Sequence, residues 1–121
     1  MNIRRARMAL AVTAAFALAA LSGCSSSASS FTGSWGEATA GQPSLTISSD
    51  GTFSGTDGCN SMKGQGTISG DTFTFGPFAS TLVACEGVTP WLNLASTAKV
   101  DAKTLAVYRT GGDRIGTLDK Q

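Results

Sequence analysis

Hydrophobic and polar positions follow two different rules along this chain. From Met8 to Leu21 the residues are apolar apart from Thr13, a run too short to span a bilayer as a stable helix. From Phe31 onward the period is two, with turn residues at short intervals, the pattern of an all-β sandwich or barrel. Ser44-Leu45-Thr46-Ile47-Ser48 alternates strictly, and Ser49-Asp50-Gly51 turns it into Thr52-Phe53-Ser54-Gly55. Thr67-Ile68-Ser69 meets Thr72-Phe73-Thr74-Phe75 across Gly70-Asp71, whose leading glycine suits a type II′ turn. Ser80 to Ala84 reads as a further strand, and Thr104 to Arg109 pairs with Arg114 to Leu118 around Gly111-Gly112-Asp113. The inward set predicted by this alternation is Leu45, Ile47, Phe53, Ile68, Phe73, Phe75, Leu105 and Val107. One segment has another period: Thr89-Pro90 resembles a capped helix start, and Trp91, Leu94, Ala95 and Ala98 recur at helical spacing, predicting a short helix over Thr89 to Ala98. Glycines inside several strands favour a strongly curved sheet over a flat one.

The first apolar run acquires a meaning from its flanks. Arg4, Arg5 and Arg7 precede it, the order of a secretory signal. Leu21-Ser22-Gly23-Cys24 follows and resembles the bacterial lipobox, in which the cysteine thiol takes a diacylglyceryl group before cleavage on its N-terminal side. An ordinary secretory signal with a stray cysteine is the alternative. The expected organisation is a lipoprotein signal peptide at 1–23, an acylated Cys24 with a serine-rich tether over 24–32, and one folded domain at 33–121. Ser25 to Ser30 has little to bury, and six stretched residues reach about 20 Å, which would keep the domain near a membrane surface on the exported side.

Removing that leader changes the charge. Of nine basic residues six remain (Lys63, Lys99, Lys103, Arg109, Arg114 and Lys120) against eight acidic ones, a formal net charge of −2. Cations so few and so scattered give no phosphate-neutralising footprint for nucleic acid, and they leave the acyl chains as the anchor to lipid. With Cys24 assigned to lipid, Cys59 and Cys85 remain. In an exported small domain two such cysteines are more often bonded than free. Closing their loop of 27 residues would stabilise by roughly 3.5 kcal/mol in the chain-entropy account. Free thiols are the alternative, and they would lack a histidine to activate them.

Candidate chemistry is thin. The chain has no histidine, which removes the usual general base and the commonest zinc ligand. Asp50, Asp57, Asp71 and Asp113 each sit beside a glycine, where aspartate holds turns by accepting from nearby amides. No calcium-loop spacing of aspartates with a closing glutamate occurs. No catalytic residue, metal site or cofactor is therefore expected. Asn60 could contact a ligand or satisfy its own turn, and Trp35, Trp91 and Tyr108 read as core more than as cavity lining. If a partner exists, the expected contact loop is Asp57, Asn60 and Lys63, with Ser61 and Met62 between them, on a monomeric domain. The runner-up is a small hydrolase using carboxylates or a Ser/Lys pair.

The same landmarks in order carry a resemblance. They are Gly33-Ser34-Trp35, Leu45 to Gly51 leading into Phe53-Ser54-Gly55, Gly58-Cys59-Asn60 with Gly64, Ala79-Ser80-Thr81 through Ala84-Cys85, and Trp91-Leu92 with Leu94. Together they resemble the META, or HslJ-like, domain family of bacterial heat-shock and envelope proteins. The resemblance implies a mostly β fold, a small antiparallel β-barrel-like domain of about eight strands with one short helix. It also implies a Cys59–Cys85 disulfide, frequent lipoprotein status, no established enzymatic activity, and an association with stress response, drug tolerance and secretion. Two positions depart from the family pattern. Val83 stands where methionine is frequent and Gly66 where an aromatic residue is, so looser packing is expected after the turn.

Overall fold

The computed structural model describes residues 30–121. The signal-like run, Cys24 and the tether as far as Ser29 lie outside them. Eight strands follow one another: β1 (Gly33–Gly36), β2 (Ser44–Ile47), β3 (Thr52–Thr56), β4 (Ser61–Ser69), β5 (Thr72–Ser80), β6 (Thr97–Asp101), β7 (Thr104–Tyr108) and β8 (Arg114–Asp119). Each pairs antiparallel with the next, in a single sheet whose order is the sequence order. The sheet curls until its ends meet. Trp35 bridges Lys120, and the Gln121 N–H donates to the Ser34 carbonyl at 3.0 Å, giving a nearly closed up-and-down barrel.

The alternation explains the inside. Leu45, Ile47, Phe53, Phe73, Phe75, Leu105 and Val107 are all buried, and Ile68 is half-buried against them. Phe53, Phe73 and Phe75 meet edge to face, with ring centroids 4.9–6.0 Å apart, so the quadrupoles add to the burial. The Gly70-Asp71 turn has φ of 58° at the glycine and no positive φ at the aspartate, as a type II′ turn requires.

The looser packing expected at Gly66 is not what the structure contains. Gly66 is buried, and the ring of Phe73 fills the space a side chain there would need. The aromatic volume arrives from the neighbouring strand. Close by, a bulge sets Gly76 and Pro77 of β5 against Gln65 of β4, bending both long strands.

Two strand boundaries and one helix are corrected. β5 is continuous to Ser80, and Thr81 to Ala84, expected as strand, is irregular. The Thr89–Ala98 helix does not form: only a 3-10 turn over Leu92–Leu94 is present, and Ala98 lies inward in β6. Five cross-strand pairs with β7, from Thr97↔Tyr108 to Asp101↔Thr104, outweigh a helix of ten residues, which is marginal on nucleation cost alone. The face reverses as well. Leu92 is fully buried while Leu94 is 55% exposed.

The barrel is stoppered at both ends. At the base, Phe31 enters the core, its ring 5.8 Å from that of Phe73. Trp35 Nε1 donates to the Phe31 carbonyl at 2.9 Å, and Lys120 Nζ stands 4.4 Å from the Trp35 ring centroid while donating to the Thr32 carbonyl. At the mouth, Trp91 is half-buried with its ring against Gly116, and Leu92 and Ala95 fill the space beneath.

Candidate functional site at the mouth of the barrel

The mouth is built by the turn between β3 and β4. Asp57 N–H donates to the Asn60 carbonyl at 3.0 Å, while Asp57 Oδ1 accepts from the amides of Cys59 (2.9 Å) and Asn60 (2.6 Å). Thr56 Oγ1 accepts from the Gly58 amide at 3.1 Å. Gly58 has φ of 101°, and a Cβ there would strike the Gly41 carbonyl, so both conformation and space call for glycine. This tight turn presents Cys59, which is bonded to Cys85 with Cα atoms 5.7 Å apart.

Asn60 is the second clamp. Its Oδ1 accepts from Val83 N–H (2.7 Å) and Thr81 Oγ1 (3.0 Å), and its Nδ2 donates to the Val83 carbonyl (3.0 Å). A covalent bond and one amide side chain thus hold the same irregular strap, Thr81 to Val88, against the turn. The strap continues past Gly41 and Gly58, which Val88 covers, to the Trp91 stopper over Gly116.

These contacts redistribute the expected contact residues. Asp57 is 2% exposed and Asn60 is buried, both occupied in holding the turn and the strap. Ser61, Met62 and Lys63 form no loop; they open β4, with Met62 in the core and Lys63 on the outer wall. Of the expected contact residues Asp57, Asn60 and Lys63, Lys63 alone is accessible. It stands between its cross-strand neighbours Ser54 and Ala79, in a shallow groove of about 560 Å³ that also touches Gly55, Ser80 and Thr81. Sequence reasoning missed the two residues that do protrude here. Leu82 and Val83 are 93% and 60% exposed because Asn60 and the disulfide fix the strap backbone while their side chains face solvent.

The other aspartates hold turns, each in its own way. Asp50 Oδ1 accepts from the Thr52 amide at 2.9 Å, and the Thr52 amide and hydroxyl hold the carboxyl below its ordinary range. Asp71 bonds Thr72 Oγ1, and Asp113 pairs with Arg109 at 3.1 Å on the surface. Asp57 differs in one respect: among the described residues its Oδ2 is the buried side-chain oxygen without a hydrogen-bond partner. That is a cost the turn carries in return for two short amide bonds to Oδ1.

A glycine-punctuated turn bonded to a second cysteine on the strap after β5, in an eight-strand meander, is the arrangement the sequence landmarks anticipate, and the family model for the META domain matches residues 14–121. The chain belongs to the META domain family. No curated protein and no solved structure matches it significantly. In this META domain the Gly58-Cys59-Asn60 turn is an anchoring device: Gly58 allows the tight turn, and Cys59 and Asn60 hold the strap to it. META is not a known enzyme family. In this member the Asp57 and Asn60 side chains that sequence order brings together are committed to that anchoring.

Proposed function

We propose that this protein is a membrane-anchored exported lipoprotein whose META domain serves as a non-catalytic binding or supporting module of the cell envelope, with a role under stress. The observation that carries the reading is the mouth. A disulfide and an asparagine clamp stiffen a strap that shows Leu82 and Val83 to solvent, an arrangement suited to presenting a surface outside the cell at little ordering cost. The chain enters the barrel at Phe31, at the opposite end. A lipid on Cys24 would therefore hold the base toward the bilayer and leave the mouth facing away from it. The turn-holding work of Asp50, Asp57 and Asp113 also supports a non-catalytic role.

The test begins with intact mass of the mature protein, expected to show a diacylglyceryl-modified Cys24 as the first residue, and with membrane fractionation, in which Cys24→Ser should appear soluble or unprocessed. An unmodified Cys24 would defeat the anchored part of the reading. A photo-crosslinking residue at position 82 in the living membrane should then capture a specific neighbour. The competing hydrolase has a candidate pair in Ser54 and Lys63, which are cross-strand neighbours. Against it, Lys63 is exposed on the outer wall, whereas lysines that work as bases are desolvated. Turnover lost in Lys63→Met or in one aspartate variant would establish that alternative instead.

A further inference from the structure

β5 is paired very differently along its two edges. Toward β4 its ladder runs from Thr72 to Ser80, whereas toward β6 only Phe73 and Thr74 are paired, extended by the Phe75 amide donating to the Ser96 carbonyl at 2.9 Å. From Gly76 to Ser80 no strand among the described residues lies on that side. The chain that could have covered it leaves in the other direction: Val83 goes to Asn60, Cys85 to Cys59, Val88 to Gly41 and Gly58, and Trp91 to Gly116. It circles the mouth and returns to β6 without passing the β5 edge.

Register tells which main-chain groups this leaves open. The Thr81 amide donates to the Ser61 carbonyl at 3.2 Å, making those two a hydrogen-bonded pair. Antiparallel alternation makes Lys63 and Ala79 the next such pair, and leaves Met62↔Ser80 and Gly64↔Phe78 as non-bonded pairs. The N–H and C=O groups of Phe78 and Ser80 therefore point away from β4, toward the open side. Pro77, a residue that often blocks such edges, sits in the bulge opposite Gln65 and removes neither of these donors.

We propose that this edge accepts an extended peptide segment of another protein as an added strand. The inference rests on the binding-module reading above and gives the partner a chemistry: a backbone in β conformation with apolar residues at alternate positions. The main chain of Phe78 and Ser80 supplies the ladder, and the exposed Leu82 and Val83 just beyond supply contacts for side chains.

The probe is a displayed library of random dodecapeptides, selected on the intact, disulfide-bonded protein, with the best sequence then synthesised and its affinity measured. Ser80→Ala, which removes the hydroxyl and keeps the amide, should bind as the wild type does. Ser80→Pro, which removes the outward amide at a position that donates nothing to β4, should weaken binding about tenfold. On binding, the amides of Phe78 and Ser80 should become protected from exchange in the wild-type protein. This readout holds even if the proline variant folds poorly. Peptides that bind Ser80→Pro as well as wild type, without protecting those amides, would overturn the edge proposal and leave the binding-module reading standing. So would a library that yields no binder while position 82 still crosslinks a neighbour in the membrane. A wild-type dimer that Ser80→Pro dissociates would overturn it in favour of a second copy of this chain.

Discussion

The two ends of the barrel are closed by different physics. The base is sealed by aromatic volume: Phe31 inside the core, Trp35 bonded to its carbonyl, Lys120 over the indole. The mouth is sealed by a strap with little regular structure of its own, held by a polar turn, one amide side chain and a covalent bond. A small domain has apolar material for only so much core, and at the mouth Trp91, Leu92 and Ala95 supply it beyond the strap while most of the strap itself lies outside it. Where it runs out, the sequence substitutes constraint for burial. The base should therefore fail through packing and the mouth through loss of constraint, with little coupling between them.

The largest effect should come at the base. Phe31→Ala should cost about 3–5 kcal/mol, the range for deleting a buried phenylalanine, measured by denaturant titration. A cost under about 1 kcal/mol would mean the base is not sealed by this ring. Cys85→Ser should cost about 2–5 kcal/mol, and the same melting experiment with reductant should reproduce it in the wild-type protein. Combining the two variants sharpens the comparison. If the ends are independent the losses should add to within about 0.5 kcal/mol, and a larger deviation would show that the core transmits one end to the other. Asn60→Ala should cost about 1–3 kcal/mol, because it removes the acceptor of the Val83 amide and of the Thr81 hydroxyl and the donor to the Val83 carbonyl. It should leave the disulfide formed, which thiol titration would check.

The smallest effect is one of pH. Asp50 has a carboxyl held below its ordinary range by the Thr52 amide and hydroxyl. Its contribution to stability is thus fully present above the unfolded-state pKa and is lost as pH falls through the lowered, folded-state value. Asp50→Asn should flatten that part of the acid limb and leave neutral-pH melting nearly unchanged. An unaltered acid limb would show that the Thr52 contacts do not matter to stability.

The lower barrel was legible and the mouth was not, for a reason rooted in range. Leu45 and Ile47 announce their face through neighbours two residues away, and Gly70-Asp71 announces its turn on its own. The Asn60 clamp joins residues 23 positions apart, and nothing local to Val83 indicates it. The misread helix shows the same limit from the other side. Trp91, Leu94, Ala95 and Ala98 fit a helical period, but Thr97 to Asp101 also alternate, and only the presence of β7 decides in favour of the strand. At Gly66 the missing aromatic could not be seen as supplied by Phe73, because that exchange crosses a hairpin. The cysteine pair was legible by parity, while the buried role of Asp57 required the amide geometry that only the fold provides.

The contact of Lys120 with Thr32 joins residues 88 positions apart, whereas every other neighbouring pair of strands is consecutive in the chain. During synthesis the seven contacts between successive strands, six of them hairpins and the β5–β6 contact made across the strap, can form as each strand emerges, yet β1 has no partner on its outer side until β8 has been made. Closing a loop of that length costs entropy that no local turn offsets, so barrel closure is the late event in folding. Until then Trp35 and Phe31 have neither a lysine above them nor a finished core below. The base, the more stable-looking end of the finished molecule, is thus the end most exposed to misassociation while the molecule is being made.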